Sequence, residues 1–270
     1  MNITVLTFDT IDSTNTEAMK QARLGVGEGL CISSLQQTAG RGRHGRNWIS
    51  EKDAGLYFSI ILRPKFEMRH LPLITLMAGV AVHDTLAELG LKPDIKWVND
   101  ILINDKKIAG ILAETAETSK GLAVVVGIGI NIRTSNFPPE IADTATSIEA
   151  ATLRSPPYEG GEDAFRERGG SLPSVKQVIS SEALHKILTK YLIYFYDILN
   201  GENGPNEILA LWRRRSTYFS GKNIRVVLEN ETLSGTTDGL EENGALRVRK
   251  ADGSVTIIQA GDVERVRSVN

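Results

Sequence analysis

Gln36-Gln37-Thr38-Ala39-Gly40-Arg41-Gly42-Arg43-His44-Gly45-Arg46-Asn47-Trp48 alternates arginine with glycine, contains no acidic residue and closes on a tryptophan. Glycine lets backbone amides approach a ligand closely, and the planar guanidinium fork matches a carboxylate or phosphate. Tryptophan offers a flat face on which a purine can stack. The stretch therefore reads as a loop built to hold an anionic ligand with an aromatic part.

Apolar strands flank the loop. Leu30–Leu35 runs into it and Leu56–Leu62 runs out of it. Upstream, Val5–Phe8 predicts a short strand. Thr14-Asn15-Thr16-Glu17 fits a capping box for a helix over about 15–24, with Gly25 as its stop. Downstream, Leu73–Leu89 has helical periodicity and ends at Gly90. Strands are expected at Ile95–Trp97, Ile101–Ile103 and Lys107–Glu114, with Asn104-Asp105-Lys106 turning between the last two. Leu122–Ile132 is a further strand; its internal Gly127 and Gly129 suggest that something approaches the backbone there. Ser181–Asn200 predicts an amphipathic helix and Glu207–Arg215 a shorter one.

Residues 154–174 are polar and rich in breakers (Pro156-Pro157, Gly160-Gly161, Gly169-Gly170), the composition of a mobile surface insertion. Five short strands follow: Ile224–Leu228, Thr232–Thr237, Ala245–Val248, Val255–Gln259 and Val263–Val266. Turn signals at Glu229-Asn230, Glu242-Asn243-Gly244 and Asp252-Gly253 separate them. They predict a small C-terminal β-barrel. The expected organisation is residues 1–219 as one unit and 220–270 as a second.

Across 270 residues the net charge is −2, so no global basic field draws the chain to nucleic acid. The positive charge of the loop is local. A single cysteine, Cys31, allows no internal disulfide, and its apolar neighbours Leu30 and Ile32 mark it as a core thiol. No apolar run approaches the ~20 residues that span a bilayer, and no leader pattern is present; a cytoplasmic protein is expected. His70, His83 and His185 lack metal-ligand spacing, and His44 reads as exposed.

Four further segments carry matching chemistry: Ser13-Thr14-Asn15, Lys96-Trp97-Val98-Asn99-Asp100, Lys107-Ile108-Ala109-Gly110-Ile111-Leu112-Ala113-Glu114, and Gly127-Ile128-Gly129-Ile130-Asn131. With the Arg/Gly loop, and in this order, they resemble the biotin protein ligases. Any one segment is weakly specific; the ordered set is strongly so. The resemblance covers most of residues 5–150. It implies an α+β fold of the class II synthetase-like biotin/lipoate ligase type, a mixed, largely antiparallel sheet with helices, plus an SH3-like barrel.

The resemblance also implies a two-step reaction. Biotin's carboxylate attacks the α-phosphate of ATP, giving biotinyl-5′-AMP, and a lysine of a biotin carboxyl carrier domain then takes the biotin. In this implied scheme Ser13, Thr14, Asn15, Gln37, Gly40 and Gly110 bind biotin. Arg41, Arg43 and Lys107 serve both the carboxylate and the phosphate and form the catalytic set. Arg46 lies toward pyrophosphate, Trp48 stacks on adenine, and Asn99 and Asn131 serve the nucleotide. Two anions must meet, so fixed cations are the expected catalysts. Mg2+ is expected mainly on the ATP phosphates, without a firm protein ligand. Asp100 is the nearest candidate for a base or orienter in the second step. Lys96 is expected as scaffold that touches phosphate, and Trp97 as core.

Some members of the family carry an N-terminal winged helix-turn-helix. Ser13 lies only 12 residues from the start of this sequence, so a form without DNA binding is expected. Homodimer and monomer both remain open. A lipoate or octanoate ligase shares the fold, but its arginine-then-triple-glycine signature is absent. A nucleic-acid-binding module is disfavoured by the net charge and by the confinement of basic residues to one loop.

Overall fold

A computed structural model describes residues 1–134, 137–154, 179–228 and 231–265. The expected insertion at 154–174 falls almost wholly outside them, as does the Glu229-Asn230 turn.

The first strand, β1 (Thr4–Ile11), is longer than its apolar centre suggested. It pairs in parallel with β2 (Leu30–Gln37), and the crossover between them is α1 (Thr14–Arg23). β2 pairs antiparallel with β3 (Gly55–Leu62), and the Arg/Gly loop bridges these two strands. The remaining strands of the sheet are β4 (Asp94–Lys96), β5 (Asp100–Ile103), β6 (Lys106–Thr118) and β7 (Gly121–Asn131). The spatial order is β1-β2-β3-β7-β6-β5-β4. Every pairing after the first is antiparallel, as expected for a mixed, largely antiparallel sheet.

Local chemistry explains the turns. Asn104 and Asp105 both take positive φ between β5 and β6, the geometry that the tightest hairpins require. Gly25 takes φ +84° just past α1, where its N–H bonds to Ala22 O and that of Val26 to Gln21 O.

The expected capping box at Thr14–Glu17 does not form. Ser13 is the cap residue by position, but its side chain makes no capping bond. The Glu17 carboxylate is instead taken by Gln21 and Lys20 one turn on. The Thr14 hydroxyl turns into the tertiary structure, as described below.

α2 (Leu73–Glu88) is buried on almost every side, because the sheet lies beneath it and α5 (Ser181–Leu199) and α6 (Gly204–Arg213) lie against it. Ser180 caps α5 by accepting from Ala183 N–H. The opposite face of the sheet carries α1, whose Ala18 and Ala22 pack on Ile32, Ile61 and Val125. Covered on both faces, β3 is buried throughout. Two short helices that the sequence reading did not anticipate, α3 (Pro139–Ala142) and α4 (Ile148–Arg154), follow β7.

The C-terminal unit is an antiparallel sheet of β8 (Ser220–Val227), β9 (Thr232–Leu240), β10 (Leu246–Arg249), β11 (Val255–Ile258) and β12 (Asp262–Arg265). Its order is β11-β10-β9-β8-β12, and among the described residues β11 and β12 do not pair. The expected small barrel is thus a five-stranded sheet that, among the described residues, is not closed by hydrogen bonds between β11 and β12. Its inward residues Ile224, Val226, Leu246 and Val248 join the main core. Trp97, core as expected, donates from Nε1 to Gly244 O at 2.9 Å and ties the two sheets together.

Candidate active site

A cavity of about 440 Å3 opens on the α1 face of the large sheet, within the usual size range for a small-molecule site. Strand alternation puts Gly110 and Leu112 of β6 and Gly127, Gly129 and Asn131 of β7 along it. The glycines form its floor. A Cβ on Gly127 would lie 2.1 Å from Asn15 Oδ1, and one on Gly129 2.4 Å from the Trp48 indole. The approach to the backbone expected at these two positions is therefore made by Asn15 and Trp48. Gly110 pairs in register with Gly129, and its open side is filled by Trp48 and the Lys107 stem.

One end of the cavity is neutral and tightly bonded. Ser13, Thr14 and Asn15 are no more than 3% exposed. The Thr14 N–H donates to Gln37 Oε1 at 2.8 Å, and the Thr14 hydroxyl is 3.1 Å from the same oxygen. Gln37 Nε2 donates to Ser50 Oγ at 2.8 Å. Gln37 thus caps the start of α1 with its carbonyl and grips the end of the loop with its amide. Ser59, fully buried on β3, lies 2.6 Å from Asn15 Oδ1 and 2.7 Å from Thr14 Oγ1. Asn15 Nδ2 donates to Leu112 O and to Glu114 Oε2.

The other end is charged. Asp100 sits between Lys107 Nζ at 2.6 Å and Lys96 Nζ at 3.3 Å. Burial opposes the ionised carboxyl, but the charges and hydrogen bonds of Lys107 and Lys96 outweigh it and hold Asp100 below the usual carboxylate range. Arg41 pairs with Glu114 at 2.5 Å, and Arg46 pairs with Asp262 of the C-terminal sheet. Arg43 donates to Asn99 Oδ1 at 3.2 Å and to Gly261 O at 3.3 Å. Burial lowers the Arg43 guanidinium from its ordinary value, only partly countered by Asp262 and Asp100. A partly dehydrated cation held by neutral oxygens gains strongly from an arriving anion.

Trp48 lies between the two ends. Lys107 Nζ is 5.5 Å from its ring centroid, and its buried Nε1 has no hydrogen-bond partner among the described residues. Asn99 Nδ2 donates to Ile111 O, and Asn131 Nδ2 to Thr146 O, each at 2.9 Å.

Every residue expected in the site lines the cavity except Gly40. Gly40 lies behind the wall, where a Cβ would meet Trp48 O at 2.4 Å and Ser50 Oγ at 2.7 Å; its carbonyl accepts from Trp48 N–H. It closes the loop on itself. Lys96 holds Asp100, and His44 is exposed.

Several lining residues were not anticipated. Phe137, Ile141, Thr144 and Ala145 form a wall held to Lys107 by two backbone bonds, Lys107 N–H to Thr144 O and Thr146 N–H to Lys107 O. Pro139 in the first turn of α3 was the available signal. Tyr218 and Asp262 arrive from distant sequence and carried no local signal.

The chain is similar to known proteins in sequence and in fold. Residues 7–131 match the biotin/lipoate A/B protein ligase family, and residues 219–266 match the biotin protein ligase C-terminal domain. The bifunctional ligase/repressor BirA of Bacillus spizizenii is 34% identical over 260 residues, covering 95% of this chain and 72% of that protein. The biotin--[acetyl-CoA-carboxylase] ligase of Mycobacterium tuberculosis is 29% identical, covering 94% of this chain and 86% of that one. The biotin protein ligase of Aquifex aeolicus, solved in complex with biotin and ATP, superposes with a TM-score of 0.75 at 26% identity, covering 98% and 99% of the two chains. Among the described residues no helix is long and apolar enough to cross a membrane. This chain is a ligase and belongs to the biotin protein ligase family.

Proposed function

We propose that this ligase joins biotin to ATP as biotinyl-5′-AMP and passes the biotin to a lysine of a biotin carboxyl carrier domain. The observation that carries this reading is the polarity of the cavity: one end offers neutral, fixed amide and hydroxyl groups, the other a set of arginines and lysines, over a shared glycine floor. The neutral end suits the ureido ring, which both donates and accepts. The charged end suits a carboxylate beside a triphosphate.

In the first step a biotin carboxylate oxygen bonds to the α-phosphorus and pyrophosphate leaves. Lys107, Arg41 and Arg43 screen the two anions from each other and stabilise charge as it shifts onto pyrophosphate, with Arg46 at the outer end. The carboxylate is already ionised near neutral pH, so no base is needed. Trp48 stacks with adenine, while Asn99 and Asn131 hold the nucleotide. Ser13, Thr14, Asn15 and Gln37 hold the ring, with Gly110 in the floor that seats Trp48 and Lys107 and Gly40 closing the loop behind them. Mg2+ would enter mainly on the ATP phosphates and would supply further positive charge to the leaving pyrophosphate.

In the second step the carrier lysine's nitrogen bonds to the acyl carbon, AMP leaves and a proton is released. A carboxyl held below its ordinary range is a weak base, so Asp100 serves as orienter and counter-ion of Lys107. Residues 1–219 carry the activation chemistry, and 220–270 cover its nucleotide end through Gly261 and Asp262.

The deciding experiment is exchange of labelled pyrophosphate into ATP with Mg2+, with biotin or lipoate as the acid. Biotin-dependent exchange is expected; lipoate-dependent exchange without a biotin response would end this reading. Adding a panel of carrier domains then tests the transfer step.

A further inference from the structure

Glu114 closes the Lys107–Glu114 segment, on the same face of β6 as Gly110 and Leu112. The sequence reading gave it no role. Its Oε2 atom accepts from Asn15 Nδ2 at 2.8 Å and from Arg41 Nη2 at 2.5 Å. Asn15 belongs to the neutral end of the cavity, and Arg41 to the charged loop.

The two donors differ sharply in freedom. Asn15 is 3% exposed, with its oxygen taken by Ser59 and its nitrogen also bonded to Leu112 O. It cannot swing. The Arg41 side chain is 43% exposed and, without a partner, would sample many rotamers. A carboxylate only accepts, so both donors must point at it. The geometry runs from an immobile amide, through one carboxylate oxygen, to a long and otherwise mobile guanidinium.

We propose that Glu114 is a positioning residue for the activation step: it aims Arg41 from the buried Asn15 and so fixes the charged group relative to the ring-holding end. This rests on the biotin and ATP reading of the cavity. Glutamine at this position keeps the size but loses the charge-assisted half of the bridge. Aspartate keeps the charge but is one methylene too short to hold both donors.

The test compares wild type, Glu114→Gln, Glu114→Asp, Arg41→Ala and the Glu114→Gln/Arg41→Ala double variant. Pyrophosphate exchange gives kcat and KM. Labelling by phenylglyoxal, followed on the Arg41 peptide by mass spectrometry, gives guanidinium accessibility without any substrate. Glu114→Gln is expected to lower kcat about tenfold or more while biotin KM moves less than about threefold, since the loss is one of aim. Arg41 should label several-fold faster, Glu114→Asp should be intermediate in both readouts, and the double variant should be no slower than Arg41→Ala alone. Wild-type kcat in Glu114→Gln, additive losses in the double variant, or unchanged Arg41 labelling would each overturn the proposal. Should Glu114→Gln fail to fold, Glu114→Asp carries the same comparison. Wild type without biotin-dependent exchange would sink the functional reading, and labelling would still decide the Glu114–Arg41 coupling.

Discussion

The two ends of the cavity solve the problem of an empty polar site in different ways. At the neutral end, Thr14, Asn15, Gln37 and Ser59 are linked by short neutral hydrogen bonds, with Thr14, Asn15 and Ser59 buried. At the charged end, Lys107, Arg41 and Arg46 are each held by a carboxylate of the protein, Asp100, Glu114 and Asp262 in turn. A ligand can use spare lone pairs at the first end without breaking anything. At the second, an anion must replace or share an internal counter-ion. One end is prebuilt, and the other is built to change partners.

The sharpest way to break this contrast is Lys107→Ala. Removing one preorganised charge from such a site costs about 10²–10³ in rate. Exchange should fall by that factor while circular dichroism keeps the wild-type signature and melting drops only a few degrees from loss of the Asp100 pair, because the Lys107 side chain is 36% exposed. Near-normal exchange would take Lys107 out of the site.

A second pair of variants tests the ends separately. Gly127→Ala puts a methyl group on Asn15 at the ring end, and Gly129→Ala puts one on Trp48 at the nucleotide end. Overpacking of this kind costs about 1–3 kcal/mol of stability, and by displacing Asn15 or Trp48 it should weaken the ligand each side chain holds by about tenfold. Calorimetry should show Gly127→Ala weakening biotin more than ATP, and Gly129→Ala the reverse. If both variants weaken both ligands equally, the two ends are not separable.

Much of this contrast was legible in the sequence, because glycine spacing on a strand has few physical readings. Gly127 and Gly129 pointed to a close approach, and Asn15 and Trp48 make it. The Arg/Gly loop declared the charged end. Asp100 was legible as an orienter, but the counter-ion of Arg46 was not: Asp262 is 216 positions away, and nothing near either residue signals the pair. The capping box misled because Thr14 found stronger tertiary partners in Gln37 and Ser59. The strands after Ser220 were placed, but alternation within each strand says nothing about whether the edge strands β11 and β12 will meet. The wall from Phe137 to Ala145 depends on backbone bonds to Lys107, which no side-chain pattern encodes.

Hydrogen exchange separates a prebuilt end from a re-partnering one more gently. Adding a non-hydrolysable biotinyl-AMP analogue should slow exchange across residues 38–48 by about tenfold or more, because ion pairs at the surface open readily and an anion locks them. Residues 13–17 should change little. A larger gain at 13–17 than in the loop would reverse the assignment of rigid and adaptable ends.

The smallest effect concerns Asp100, where the charged end stabilises the fold itself. Its folded-state pKa lies below the ordinary 3.8, so its ionised form is favoured by folding. The stabilisation is therefore full above the unfolded value and is lost as pH falls through the lower, folded one. Asp100→Asn should melt about 2–4 °C below wild type from pH 5 to 8, the shift that roughly 1 kcal/mol gives in a chain of about this size. The gap should narrow below about pH 4, as the wild-type carboxyl gains its proton. A gap that widens on acidification would mean that Lys96 and Lys107 do not stabilise the carboxylate. An absent gap at neutral pH would mean that solvent already meets the needs of all three charges, leaving the charged end as open to re-pairing as a free surface.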